Sequence, residues 1–438
     1  MNSTADDLQA LVKAAPFIDI NLDADSPLPE TEKPGAKADL KSNTKTDTET
    51  ETNSTTNVGV AAEALKSVPE VQVFHPVLPL PIGTAGSATN QPDSVPADLY
   101  PALLRAHIAL ARVTEASRAM VLTDAPARFL LLKAAHSDHL LCYTPDSSSS
   151  EMPEFLIATD SASKRLRPVE KSALLLEKMS LRVRESGINK QLITELSIKC
   201  GNRRLLREQG LTPDSWIPGS DYAGADAAQL HVLLENWLEY VELSARNTDT
   251  LIVNAIAYHQ FLSMSPFEAG NNAAALAMFQ LLLVDSGVIS LPILAISETV
   301  RENIDAHYSL FKALNEQRNE VNLHRWLAHC VELITLSATR TLTRIHGCRS
   351  QSALIKKSVE QTLSGSHGDA VAQLLIEQPV TRIRDFVDRG IAKRQTSSVY
   401  LRKLCDAGVL IEQQAGKEKL FLNNSYLQIF KWDSGQSV

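Results

Sequence analysis

Apolar residues recur at helical spacing along most of the chain between positions 98 and 346. Segments such as HVLLENWLEYVELSA and LIVNAIAYHQFLSM place a large apolar residue at every third or fourth position, which puts these residues on one face of an α-helix. Gly287 follows a further segment of this kind and is expected to end its helix. The sequence therefore predicts a mainly α fold, with a helical N-terminal region at 96–168 and an all-helical core at 169–346.

The pattern changes after the core. Residues 347–368 are polar and contain Gly and Ser, so we expect them to form a linker. Residues 369–428 predict three short helices, each closed by Pro or Gly, and then two strands, VLIEQQ and KLFLNN. Three helices followed by a hairpin is the order of a winged helix-turn-helix, which is an α+β domain.

The composition of the first 95 residues differs from that of the rest of the chain. Residues 25–57 are rich in Thr, Glu, Lys and Asn and nearly free of large apolar side chains. Such a segment cannot bury enough apolar surface to offset the entropy lost on folding. We therefore expect residues 1–95 to be a disordered, low-complexity tail.

Composition narrows the cellular setting and the partners. The 438-residue chain carries a net charge of -8, which argues against nucleic-acid binding by the whole molecule but allows a basic patch on one domain. Its five cysteines lie far apart without a CxxC pair, which favours a reducing compartment and no zinc site. No secretory signal or membrane-spanning apolar stretch is visible, so we expect a cytoplasmic protein without a membrane partner.

One predicted loop carries SPFEAGNNAAAL, from Ser265 to Leu276. AYHQFLSM precedes it, and a helix–turn–helix pattern that includes Tyr308 follows it. Further upstream, LREQGLTPDSWIPG contains Trp216. In this order and spacing, the segments resemble the Fic (Fido) domain, whose signature is HPFx[D/E]GNGRxxR. The resemblance implies an all-helical Fic-like core at 169–346 and a family that usually transfers AMP from ATP to a protein hydroxyl.

The sequence departs from this signature at the positions that carry the chemistry. The resemblance puts Ser265 in place of the general-base His and Ala269 in place of the carboxylate that holds Mg²⁺. Asn272 replaces the second Gly of the anion cradle, and Ala273 and Leu276 replace the two arginines that neutralise phosphate charge. Loss of a positioned general base alone costs about 10²–10⁴-fold in rate. Phosphoryl-type chemistry further depends on positioning and charge neutralisation.

Pro266, Phe267, Gly270 and Asn271 keep the signature and predict a turn and the start of a helix. No Lys or Arg occurs between positions 246 and 301. We therefore expect no catalytic residue, no metal and no cofactor at this loop. ATP and Mg²⁺ would be needed only if AMP transfer persists through non-standard residues, such as a basic side chain from a distant segment.

Other residues near the resemblance predict structure rather than chemistry. LLKAAHSDHLLCY resembles the family's inhibitory segment SSxIEG, with Ser137 retained and Leu141 at the position of the inhibitory Glu. His259 stands where the family has a helix-core histidine. His136 and His139 have no third metal ligand at a suitable spacing.

The C-terminal segment 369–428 resembles the winged-helix domains of bacterial regulators, which many Fic proteins carry at this end. Its RQTSSVYLRKLCDAGVL is close to the recognition-helix pattern RQTASRYLKKLEEAGIL. Such helices contact base edges and phosphates. The predicted DNA-binding residues are Lys393, Arg394, Gln395, Thr396, Ser397, Ser398, Arg402, Lys403, Lys417 and Lys419. Winged helices also bind proteins or form dimers. Acidic residues near these basic residues reduce the positive charge of the patch.

Three functions follow from these patterns. The first is a catalytically inactive Fic-like protein that acts as a regulator or scaffold with a DNA-binding winged helix. The second is a protein adenylyltransferase that uses non-standard residues. The third is a protein-interaction module without DNA binding, whose partner is another protein or a second copy of this chain.

Overall fold

The computed structural model describes residues 97–120, 124–143, 156, 168–211, 224–244, 248–363, 367–415 and 418–431. All of them belong to one structural unit that spans residues 72–438. The expected disordered tail at 1–95 lies outside the described residues, and so do Trp216 and Lys417.

Helices dominate the described part of the chain, which confirms the predicted mainly α fold. The body contains α1 (Tyr100–Ser117), α2 (Ala125–Tyr143), α3 (Pro168–Ser186), α4 (Lys190–Lys199), α5 (Leu230–Ser244), α6 (Thr250–Met264), α7 (Asn271–Asp285), α8 (Ile296–Glu302), α9 (Ile304–Glu316) and α10 (Glu320–Thr362). Short 3₁₀ helices at Ala97–Leu99 and Ala227–Gln229 precede α1 and α5. No helix of the described segments combines the length and the apolar character needed to cross a membrane.

The centre of the body is the pair α6 and α7. Every residue of α6 from Leu251 to Met264 is buried, and α7 is buried on nearly all sides. A helix that is apolar all round is stable only when other helices surround it. Helices α5 and α10 pack on α6, and α2 and α3 pack on α7. The loop that joins α6 to α7 is therefore anchored at both ends in the core.

The predicted linker at 347–368 is wrong, because α10 continues without a break to Thr362. This 43-residue helix keeps a buried face through the polar segment, at Cys348, Ile355 and Val359. Those three positions are spaced seven and four residues apart, so they share one side of the helix although polar residues separate them. Helix α10 therefore extends beyond the body and packs against the C-terminal module.

The C-terminal module confirms the three predicted helices and the two predicted strands and adds two elements that were not predicted. Its elements are α11 (Gly368–Glu377), β1 (Val380–Thr381), α12 (Ile383–Asp388), α13 (Arg394–Asp406), β2 (Ile411–Ala415), β3 (Glu418–Leu422) and α14 (Asn424–Ile429). The three strands form an antiparallel sheet in the order β1-β3-β2. A two-residue strand such as β1 is too short to show a sequence period.

Helix α14 fastens the module to the body. Tyr426 and Phe430 pack against Phe129 of α2, with ring centroids 5.8 and 6.0 Å apart. Gly347, inside α10, lies directly beneath Ile429: a Cβ atom at position 347 would stand 3.2 Å from that side chain. Glycine is unfavourable inside a helix, and here it permits this close approach.

Candidate functional sites: the 265–276 loop and the α13 surface

Within the 265–276 loop, the turn between α6 and α7 begins and ends with residues in the left-handed backbone region. Ser265 ends α6 with φ 44°, and its amide donates to the carbonyl of Phe261 at 3.1 Å. Gly270 precedes α7 with φ 76°. A positive φ is uncommon for a non-glycine residue, so the chain at Ser265 is held by its surroundings.

The hydroxyl of Ser265 is fully buried and already bonded. Its side chain has 0% exposure, and its Oγ donates to the carbonyl of Leu262 at 2.7 Å. A general base needs a lone pair directed at a bound hydroxyl. This Oγ instead satisfies the last turn of α6.

Two asparagines hold the loop by pairing with its backbone. Asn271 accepts from the amide of Phe267 at 2.8 Å and donates to the carbonyl of the same residue at 2.9 Å. Asn202, which follows α4, makes the equivalent pair of bonds to Ala269 at 3.0 and 3.1 Å. Sequence reasoning missed Asn202, because a side chain that bonds backbone atoms 67 residues away leaves no periodic signal. The loop amides at positions 267 and 269 are thereby occupied.

A basic side chain does reach the loop from a distant segment. Arg207 is only 3% exposed, and its Nε donates to the carbonyl of Ser265 at 2.8 Å. Its other guanidinium nitrogens donate to the carbonyls of Gln209, at 2.8 Å, and Ala225. Its backbone amide also bonds the carbonyl of Pro266 at 2.9 Å. Arg207 therefore ties the loop to its neighbours by binding main-chain carbonyls.

The first turn of α7 carries no charged side chain. Leu276 is buried in the core and Ala273 is half-buried. Asn272 is 9% exposed, and its Nδ2 donates to the hydroxyl of Tyr308 at 2.9 Å. Within the described segments, no group of His, Cys, Asp and Glu has an arrangement that would hold a metal ion. The positions that the resemblance assigns to phosphate binding thus present apolar or amide groups.

The residues of the expected inhibitory segment lie within α2. The Ser137 hydroxyl donates to the carbonyl of Lys133 at 2.9 Å, and Leu141 is part of the core. His259 is buried as expected, with its Nε2 3.4 Å from the carbonyl oxygen of Phe311. Burial lowers the pKa of His259 to about 3, so its ring is neutral.

A buried charge cluster joins α2, α8 and α10. Glu298 lies 2.8 and 2.6 Å from the same guanidinium nitrogen of Arg344, and Lys133 Nζ lies 3.5 Å from Glu298. Burial lowers the pKa of Lys133 to about 8. Burial also acts to raise the pKa of Glu298, but Arg344 and Lys133 overcome this and lower it. The cluster holds α2, α8 and α10 together inside the body, because its opposite charges pair with one another.

On the C-terminal module, the exposed face of α13 carries most of the residues predicted to bind DNA. Lys393, Arg394, Gln395, Thr396, Arg402 and Lys403 are exposed, and Ser398 is half-buried. Ser397 is a correction: it is fully buried, and its hydroxyl donates to the carbonyls of Ala392 and Lys393 at 3.2 and 3.0 Å. It stabilises the start of α13 and cannot reach a ligand on this face.

Outside α13, most of the described cations of the module are held in ion pairs. Residues 368–431 contain ten Lys and Arg against seven Asp and Glu, although the whole chain is acidic. The described pairs outside α13 are Arg382–Glu418, Arg384–Glu418, Arg389–Glu377 and Lys419–Glu412, at 3.3, 3.8, 2.5 and 2.5 Å. Within the described residues the four cations at α13, Lys393, Arg394, Arg402 and Lys403, make no ion pair. Lys419, expected to contact phosphate, is engaged by Glu412.

Val399 is a surface residue that sequence reasoning missed. Its side chain is 49% exposed in the middle of α13. It is four positions after Gln395 and three before Arg402, so all three lie on one face of the helix. That spacing was visible in the sequence, but only polar and basic residues of this helix were predicted to bind DNA.

Comparison with known proteins gives a family match and a group of similar solved structures. Residues 353–426 match the family described as protein adenylyltransferase SoFic-like, C-terminal domain. The match covers the end of α10 and the C-terminal module.

Two of these solved structures resemble the chain over longer stretches. One is a Fic family protein from Desulfovibrio desulfuricans G20, with 12% identity and a TM-score of 0.45 over 80% of this chain and 99% of that one. The other is a Fic domain containing signaling protein from Bacteroides thetaiotaomicron VPI-5482, with 12% identity and a TM-score of 0.41 over 56% of this chain and 98% of that one.

Proposed function

We propose that the chain is a Fic-like protein whose helical body no longer transfers AMP and whose C-terminal module is a winged helix that binds DNA. The family match at 353–426 supports the Fic-like assignment from the C-terminal side. The motif SPFEAGNNAAAL, between two buried helices, supports it from the body.

The observation that carries the inactive assignment is the bonding within the loop. The Ser265 hydroxyl bonds the carbonyl of Leu262, and the side chains of Asn202 and Asn271 occupy loop amides. Arg207 binds carbonyls where AMP transfer would need cations directed at phosphate oxygens. A triphosphate would therefore meet neither a base nor a free guanidinium among these groups.

The observation that supports DNA binding is the set of cations at α13 that lack ion pairs. A side chain already paired with a carboxylate must lose that partner before it contacts phosphate. Within the described residues, this loss of a partner is not required of the exposed cations at α13, which are Lys393, Arg394, Arg402 and Lys403. With Gln395, Thr396 and Val399 between them, the face offers phosphate contacts at its ends and hydrogen-bonding and apolar groups at its centre.

The test of the inactive body is incubation with ATP labelled at the α-phosphate, Mg²⁺ or Mn²⁺, and a cell lysate. We expect no transfer of label and no rise in melting temperature with ATP concentration, because a ligand stabilises a protein only where it has a site. Label transfer that disappears in the variant Asn271→Ala would overturn the proposal.

The second candidate function is AMP transfer through non-standard residues. It is favoured by the description of the matching family, which names a protein adenylyltransferase. The labelling experiment decides between the two functions directly. If label transfer is found, Arg207 is the first basic residue to substitute, because it contacts the loop.

The test of DNA binding is the salt dependence of affinity for random-sequence duplex, followed by fluorescence anisotropy. Each phosphate contact contributes about 0.9 to the slope of log K against log salt. We expect the slope of log K against log salt to correspond to at least about two phosphate contacts. Binding that is absent or insensitive to salt would instead assign the module to protein docking.

A further inference from the structure

A groove separates the C-terminal end of α1 from the middle of α10. Its volume is about 630 Å³, and within the described residues it is lined by four basic side chains and one carboxylate, Glu115, over an apolar floor. The basic residues are Arg112, Arg118, His346 and Arg349, and the floor includes Ala116 and Leu342. The groove lies outside both sites described above.

The charges in the groove do not cancel. Arg118 pairs with Glu115 at 3.6 Å, but both side chains are more than three-quarters exposed, so the pair is weak. Arg112 makes no ion pair within the described residues. Arg349 donates to the carbonyl of Ala116 at 2.5 Å, which fixes its guanidinium at the end of α1. One carboxylate therefore faces three guanidinium groups and a histidine.

The groove is open to solvent, and its volume falls within the range of small-molecule sites. Such sites typically enclose about 300–1,000 Å³ and combine apolar walls with a few convergent polar groups. Guanidinium groups match the oxygen geometry of carboxylates and phosphates. A nucleic-acid backbone would use the cations but would leave the floor at Ala116 and Leu342 without a partner.

We propose that this groove binds a small organic anion, with its carboxylate or phosphate between Arg112 and Arg118 and its apolar body on Leu342. Arg349 forms the fixed wall of the site, because its bond to α1 holds the guanidinium in place. This proposal does not depend on DNA binding or on the state of the 265–276 loop.

The test is calorimetric titration of the full chain with 1-naphthyl phosphate. The matched ligands are 1-naphthol, which lacks the charge, and inorganic phosphate, which lacks the apolar body. We expect naphthyl phosphate to bind at least about tenfold more tightly than either. Failure to bind at millimolar concentration, or equal binding of inorganic phosphate, would overturn the proposal.

Variants locate the site. Arg112→Gln with Arg118→Gln should weaken naphthyl phosphate at least about tenfold, while Arg105→Gln, exposed on α1 and outside the lining, should leave it unchanged. Ala119→Trp, at the rim of the groove, should block binding by filling it. Unchanged melting temperatures show that the variants fold.

Loss of duplex DNA binding in the arginine double variant, with naphthyl phosphate affinity unchanged, would assign the groove to nucleic acid instead.

Discussion

The 265–276 loop and the α13 surface use polar groups in opposite ways. In the loop, each of the polar side chains of Asn271, Asn202 and Arg207 is bonded to main-chain atoms of the same body. On α13, Arg402 and Lys403 are exposed and have no ion pair within the described residues. Inward bonding stabilises a fold, whereas outward polar groups without partners are available to a ligand. Substitutions should therefore affect stability at the first region and binding at the second.

The largest expected effect is that of Arg207→Ala on stability. This change leaves the buried carbonyl of Ser265 and the part-buried carbonyls of Gln209 and Ala225 without a donor. A fully buried unsatisfied group costs about 1–3 kcal/mol and a part-buried one less, so the free energy of unfolding should fall by about 3 kcal/mol in urea denaturation. The matched control is Arg204→Ala, an exposed arginine paired with Glu208, which should change it by less than about 1 kcal/mol.

A similar loss in the two arginine variants would break the comparison, because the loop would then not depend on its buried guanidinium.

Acid should destabilise the body before it affects the module. Burial lowers the pKa of His136 to about 4 and those of His259 and His307 to about 3. The unfolded chain takes up these protons as the pH falls below about 6.5, and the folded chain does not until the pH nears those values. Stability is therefore lost as the pH falls from 6.5 towards 4. Residues 368–431 contain no histidine.

Melting temperatures at pH 7.5 and 5 check this expectation, and we expect a drop of several degrees. Burial raises the pKa of Asp138 to about 7, which works in the opposite direction. His259→Gln should flatten the pH dependence, while His231→Gln, on the exposed face of α5, should leave it unchanged. A melting temperature that is independent of pH would show that the histidines are accessible to protons in the folded state.

Asn271→Ala should have an intermediate effect on stability. It removes both bonds to Phe267, at 2.8 and 2.9 Å, within the core. We expect a loss of about 2 kcal/mol in urea denaturation. The control is Asn322→Ala, whose side chain bonds main-chain carbonyls at a more exposed place, 3.1 Å from Ala313 and 2.9 Å from Gln317. The comparison fails if the Asn322 variant loses more than the Asn271 variant.

At α13 the expected change is in binding alone. Arg402→Gln with Lys403→Gln should lower the salt slope of DNA binding by about 2, with the free energy of unfolding unchanged within about 0.5 kcal/mol. Lys171→Gln with Arg184→Gln removes two exposed charges from α3 and should leave the slope unchanged. Equal effects of the two double variants would mean that net charge, rather than the α13 face, attracts DNA.

The smallest expected effect is a difference in DNA affinity between variants of two adjacent serines. Ser398→Ala should weaken DNA binding by less than about 1.5 kcal/mol, because a neutral hydrogen bond contributes about 0.5–1.5 kcal/mol. Ser397→Ala should leave affinity unchanged and reduce stability slightly, since its hydroxyl bonds two carbonyls of the chain. If both variants lose affinity equally, the orientation of α13 towards DNA differs from the one argued above.

Most of the fold was predictable from periodicity, and the exceptions have physical reasons. α6 and α7 carry enough apolar residues to predict helices, and the motif between them predicts a turn. The continuation of α10 was missed because only Cys348, Ile355 and Val359 are buried in its last two-fifths, among polar residues that suggested a linker. Helix propensity and tertiary packing together determine whether such a segment is helical. The packing cannot be inferred from the composition of the segment.

The loop was predictable in kind but not in its bonding. Sequence alone indicated that Ser265 and Leu276 replace the residues of the signature. It did not indicate that Asn202 and Arg207 supply the bonds, since partners about 60 residues away in sequence depend on tertiary structure. At α13, the helical pattern could not separate buried Ser397 from its exposed neighbours, because Ser occurs in both settings.

The length of α10 also determines how the two regions can move. Forty-three helical residues make a rod about 65 Å long, and the helix contains no proline. Its one glycine, where bending would be easiest, lies under Ile429. The C-terminal module thus packs on a long helix, and the position where that helix would bend most easily is covered by Ile429. A reorientation of α13 relative to the body would disturb the contacts of α14 with Phe129 and Gly347, so the angle at which this protein meets a partner depends on the packing between module and body.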